Sequence, residues 1–146
     1  MLHTSNAKTA HGLIRGTDRF QIIAIIDHAH AGLDAGTVLD GVHRNIPVYA
    51  SIADFKTNDI HQATHCIVGV ATKGGVIPPA LRVMLKEALE NDFNLVNGLH
   101  EYIADIPELV SLAQARKLEI TDVRKPKKIK DLHFWSGEII NVKCVK

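Results

Sequence analysis

The stretch FQIIAIID, Phe20 to Asp27, is apolar at every position from Ile22 to Ile26. A run that is apolar throughout, rather than at alternate positions, suits a strand buried on both faces, as in a parallel sheet covered by helices. Runs of strand length recur as IPVYAS (Ile46 to Ser51), HCIVGVA (His65 to Ala71), NLVNG (Asn94 to Gly98) and LEITDVR (Leu118 to Arg124), and several are equally continuous. Between them, PPALRVMLKEALENDF opens on a proline tolerated at a helix start. It sets Leu81, Met84, Leu85, Ala88 and Leu89 along one face. IPELVSLAQARK predicts a second helix carrying Leu109, Leu112 and Ala113, AKTAHGLIRG a shorter one near the start, and IADFKTNDI a turn or two more. This alternation predicts an α/β fold: an open, mostly parallel, Rossmann-like sheet with helices on both faces. MLHTSN is too short and polar to be a strand before the first helix. A first strand and its glycine loop are therefore read as missing, which would leave a sheet edge for a partner or a second copy to cover.

A chain of 146 residues is one domain by length, and 46% hydrophobic with 23% charged residues is ordinary globular composition. The net charge of +1 supplies no field for nucleic acid or an anionic membrane, and neither is expected as a partner. No run approaches the ~18 apolar residues of a membrane span, and the N-terminus lacks a signal-peptide core, so a cytoplasmic location is expected. Cys66 lies inside the apolar run CIVGVA, far from Cys144, and reads as a buried thiol in a reducing compartment. The expected organisation is a Rossmann-like domain over 1–124. Residues 125–146 then form a basic connector and the start of a strand, INVKCVK, leading toward a further domain. RKPKKIK lacks interleaved aromatics and reads as a solvated linker.

The residues that could carry chemistry stand where strands end. Asp27 could hold a ribose hydroxyl, but no G-x-G-x-x-G turn precedes it, and capping of the next turn is the stronger reading. His28, His30 and Asp34 share a loop with Gly32 and Gly36, and no third ligand stands at a diagnostic spacing, so no metal site is expected. Gly74 and Gly75 permit close backbone approach, and the helix begun by the prolines would offer free N–H groups to a phosphate or carboxylate, with Lys73 assisting. A plain connecting turn is equally open there. Asn97 and Gly98 close the next strand, and His100, Glu101 and Asp105 follow. His100 is a candidate acid or base because its ordinary pKa is near neutrality, with a cap or a solvated side chain as the alternative. A parallel sheet brings all these loops to one edge, which points to a small-molecule ligand bearing phosphate or carboxylate.

Six phrases in order, AKTAHGLIRG, IIDHAHAGLDAG, IPVYASIADF, GVATKGGVIPP, VNGLHEYIADIPEL and ITDVRKP, resemble the N-terminal domain of the D-glutamate N-acetyltransferase family, from about Asn6 to Trp135. The resemblance implies a Rossmann-like domain joined to a C-terminal P-loop domain. The reaction it implies is acetyl transfer from acetyl-CoA to the amino group of an acidic amino acid. No G-x-x-x-x-G-K-[ST] occurs in this chain. No cofactor is therefore expected within it: acetyl-CoA would be a substrate, and any nucleotide would come with the P-loop domain. The strand-end pattern is also similar in arrangement to the CoA-binding domains of acyl-CoA ligases. On this reading Asp27, His28 and Gly32 form one wall of a site, Gly74 and Gly75 an anion-accepting loop, and Asn97, Gly98 and His100 another wall. Arg124 is placed to pair bidentately with a carboxylate or phosphate. His100 is the candidate base. A homo-oligomer is expected, and the rival reading is a noncatalytic module for nucleotide or CoA binding or for oligomerisation.

Overall fold

The computed structural model describes residues 1–58 and 63–126, so that of the connector and strand start expected over 125–146 all but the first two residues lie outside the described residues. In chain order the elements are α1 (Lys8–Arg15), β1 (Ile25–Ile26), α2 (Ala35–Asp40), β2 (Val48–Tyr49), α3 (Ile52–Asn58), β3 (His65–Ile67), α4 (Pro79–Glu90), β4 (Asn94–Asn97), α5 (Pro107–Ala115) and β5 (Ile120–Asp122). Among the described residues these strands pair in parallel: Ile25 stands opposite Val48, Cys66 opposite Leu95, and Leu95 opposite Ile120, while one isolated antiparallel bridge joins Asp34 to Pro47. The fold is α/β with parallel sheets, as the apolar runs predict.

Two features depart from the sequence expectation. The strands are shorter than their apolar runs, and they form two sheets, β1-β2 and β3-β4-β5, in place of one. A run becomes a regular strand only over the length its neighbour pairs with, and among the described residues β1 has a strand partner on one edge only. Phe20 to Ala24 precede the ladder, and none of Ile22 to Ile26 is fully buried.

Helices cover both faces because alternate strand residues point to opposite sides. Ile25 and Val48 join α1 and α2 in a cluster with Ala10, Ile14 and Ala35. Ile26 and Tyr49 point the other way, into the larger core built on Phe55, Leu85, Leu89, Leu95 and Leu109. α4 begins with proline in its first turn and buries Leu85, Ala88 and Leu89 as its periodicity requires. Met84, assigned to the same face, is instead 40% exposed. Ser51 and Asp54 cap α3 reciprocally: the Asp54 amide donates to Ser51 Oγ and the Ala50 amide donates to the Asp54 carboxylate, both at 3.0 Å. Among the described residues no helix is long and apolar enough to cross a membrane.

Candidate ligand site at the carboxyl ends of the strands

The loops after β3, β4 and β5 meet. Lys73–Gly75 form a 3₁₀ turn in which Gly74 and Gly75 have φ of 70° and 68°, left-handed values that favour glycine. Gly75 lies against His100: a Cβ there would come within 2.5 Å of His100 Cδ2 and 2.9 Å of its backbone nitrogen. The Glu101 amide donates to the Gly75 carbonyl (2.9 Å), locking the two loops together. Arg124 folds back from the end of β5, and its Nε donates to the Gly98 carbonyl at 2.7 Å. Gly75 is thus buried under His100, and Arg124 is tied to Gly98, two residues before His100. His100 and Arg124 are exposed.

Asn97 differs from its neighbours. It is 0% exposed, and its side chain is committed to the protein. Nδ2 donates to the Glu101 carbonyl (2.9 Å) and to Asp122 Oδ1 (2.7 Å), while Oδ1 accepts from the Leu99 amide (3.0 Å). Asn97 therefore shapes the loop that carries His100 and has no polar atom left to turn outward.

Two carboxylates give the edge its form, and sequence reasoning assigned them no such role. Asp122 accepts from the amides of Ile103 (3.0 Å) and Ala104 (2.9 Å) as well as from Asn97, fastening the 3₁₀ turn Ile103–Asp105 to β5. Glu101 accepts from the Ile77 amide (2.5 Å) and lies 3.6 Å from Arg82. The approach to α4, read from sequence as open to a bound anion, thus already holds a carboxylate of the protein. An acid closing the run LEITD and an acid after His100 were the available signals; their direction, inward, was not.

The other strand-end residues form a second group above β1. Asp27 accepts from the amino group of Met1 and the amide of Leu2 (both 2.6 Å), from His30 Nδ1 (2.9 Å) and from the Ala29 amide (3.2 Å). Burial would raise its pKa, but these donors outweigh it and hold the carboxyl well below the usual carboxylate range. It caps the 3₁₀ turn His28–His30, as the capping reading held. His30 Nε2 also lies 3.2 Å from His3 Nδ1. His28 is exposed, and Gly32, at φ 83°, donates its amide to the Val48 carbonyl (2.8 Å). Among the described residues no group of three or more His, Cys, Asp or Glu side chains is arranged to hold a metal ion. The two groups are linked through the first ten residues: Asn6 accepts from the Ala71 amide, and the Ala10 amide donates to the Gly69 carbonyl (3.0 Å).

Residues 28–126 match a family described as a Rossmann-like domain of unknown function (DUF1611_N). A D-glutamate N-acetyltransferase from Pseudoalteromonas sp. is 38% identical over 60 residues, and another from Tritonibacter scottomollicae is 40% identical over 60; each match covers 41% of this chain and 18% of the relative. The crystal structure of a DUF1611 family protein from Anabaena variabilis superposes with a TM-score of 0.72 at 34% identity, covering 85% of this chain and 34% of that one. The chain thus spans about a third of the solved relative, and its matches to the acetyltransferases span less than a fifth of theirs.

Proposed function

The chain belongs to the DUF1611_N family of Rossmann-like domains, and from that membership we propose that it supplies the ligand-contacting N-terminal domain of an acetyl-CoA-dependent N-acetyltransferase acting on an acidic amino acid. The observation that carries the reading is the packing of the glycine turn under His100, with Arg124 tied to Gly98 two residues before it, at the carboxyl ends of parallel strands. Ligands of open α/β sheets bind at that edge.

Acetyl transfer forms a C–N bond and breaks the thioester C–S bond, and it requires loss of a proton from the attacking ammonium. We assign that proton to His100, the candidate base. It is exposed beside Gly75. Arg124 spends Nε on Gly98 and turns its remaining guanidinium donors to a carboxylate or phosphate. Because Glu101 occupies the approach to α4, anion recognition falls to Arg124 and Lys73 and not to the helix end. A P-loop domain would bring any nucleotide, and a cytoplasmic homo-oligomer is the assembly in which we place the chain.

Calorimetric titration of the purified chain with acetyl-CoA, NAD and ATP tests this. Saturable heat with acetyl-CoA alone is expected, weakened about tenfold in Arg124→Gln, which removes one charge-assisted contact. Gly74→Asp, at a position with open space around it, should weaken it too. No heat with any of the three ligands would remove the acyl donor from this domain and overturn the reading.

A further inference from the structure

Asp27, His30 and His3 form one hydrogen-bonded line that runs outward from the end of β1. Asp27 Oδ2 lies 2.9 Å from His30 Nδ1, and His30 Nε2 lies 3.2 Å from His3 Nδ1. Burial falls along the line: the side chains of Asp27 and His30 are 11% and 17% exposed, while His3 is open to solvent. The two imidazole rings meet at 66°, with centroids 5.0 Å apart. Backbone on both sides holds them in this register. Leu2, beside His3, is buried; its amide donates to Asp27 at 2.6 Å and its carbonyl lies 2.6 Å from His11 Nε2 of α1. On the other side Asp27 caps the turn that carries His30.

Donor and acceptor arithmetic fixes where the protons stand. Its donors keep Asp27 ionised, and a carboxylate only accepts, so the proton between Asp27 and His30 belongs to His30 Nδ1. In the neutral ring His30 Nε2 is then an acceptor, and it takes the proton on His3 Nδ1. His3 Nε2 is left with a lone pair at the outer end of the line. A proton taken up there lets the proton on His3 Nδ1 pass to His30 Nε2, and the positive charge comes to rest beside the Asp27 carboxylate. The other ionisable groups around the line are the Met1 amine, 2.6 Å from Asp27, and the rings of His11 and the exposed His28. An outer group within reach of an imidazole that a buried carboxylate orients is the arrangement on which acid–base and nucleophilic side chains are activated.

We propose that this line is a second acid–base site, separate from His100, and that it hydrolyses activated acyl esters. His3 is the base that touches the attacking water, and His30 and Asp27 are positioning residues. Water gives a proton to His3 Nε2 as its oxygen forms a C–O bond to the acyl carbon. The ester C–O bond then breaks, and its electron pair leaves with the alkoxide or phenolate. His3 returns the proton to the leaving group or to solvent, so that ester and water yield acid and alcohol and nothing else is consumed. The site goes beyond the acetyl-transfer reading, because it needs neither acetyl-CoA nor an amine.

The test uses the purified full chain with p-nitrophenyl acetate, and follows p-nitrophenolate by its absorbance from about pH 5 to pH 8, the range over which an ordinary imidazole loses its proton. Expected is a rate above that of free histidine at the same concentration, falling about tenfold in His3→Ala, the low end of general-base effects for so exposed a site. Because His3 is exposed, that variant keeps the fold. His43→Ala, at an exposed histidine of another loop, should keep the parent rate. Asp27→Asn removes the charge but not the shape, and its slower rate should rise at lower pH than the parent's, a shift that loss of a structural contact alone would not produce. An unchanged rate in His3→Ala, or equal losses in His3→Ala and His43→Ala, would overturn the proposal. So would a parent pH profile in Asp27→Asn, which would leave His3 an ordinary surface imidazole.

Discussion

Alanine at Gly75 and at its neighbour Gly74 should have sharply different costs, although the two residues share the same backbone conformation. Each has a left-handed φ, 70° for Gly74 and 68° for Gly75. A Cβ at either position costs about 1–2 kcal/mol from that conformation alone. At Gly74 nothing else lies within 4 Å, so the cost should stop there. At Gly75 the new methyl would meet His100 Cδ2 at 2.5 Å, Cβ at 2.8 Å and the backbone nitrogen at 2.9 Å. The last two are not the far end of a flexible chain, and the loop they belong to is held by the Glu101–Gly75 hydrogen bond and by Asn97. Overpacking of this kind adds about 1–3 kcal/mol, so Gly75→Ala should lose about 2–5 kcal/mol in total. Urea denaturation monitored by far-ultraviolet circular dichroism, with an m-value of about 2 kcal/mol/M, would separate the two variants by about 0.5–1.5 M in midpoint. His100→Gly in the Gly75→Ala background removes two of the three clashing atoms and should return much of the excess loss. Equal midpoints for the two alanine variants, or no recovery in the double variant, would refute the close apposition of the glycine turn and His100 on which the site rests.

Three further outcomes follow from named contacts. Asp122→Ala strips acceptors from the Ile103 and Ala104 amides and from the buried Asn97 side chain, and should cost about 2–4 kcal/mol in urea unfolding, well beyond a surface substitution. Burial would raise the pKa of Asp34, but the amides of Thr37, Ile46 and Arg44 reverse this and lower it from 3.8 to about 2. A carboxyl depressed on folding adds stability that is present above its unfolded pKa and lost as pH falls through the folded one. The midpoint of Asp34→Asn should therefore change less than that of the parent between about pH 5 and pH 2, and parallel profiles would contradict the assignment. Burial pushes the Cys66 thiol up to about 11, so in a Cys144→Ser background Cys66 should resist thiol reagents at neutral pH until denaturant is added.

How much of this was legible in the sequence differs by kind of residue. The strand centres and α4 could be read because burial writes itself into apolar spacing, and Leu85, Ala88 and Leu89 lie inward as that spacing requires. Strand length could not be read, because it depends on a neighbour: FQIIAIID looks fully buried in isolation, yet only Ile25–Ile26 pair. At the strand ends, residue type marked the right loops but not the direction of each side chain. Asn97 and His100, three positions apart in one polar cluster, lie respectively at 0% exposure and on the surface. What separates them is a partner across the sheet, Asp122, supplied from 25 residues further along.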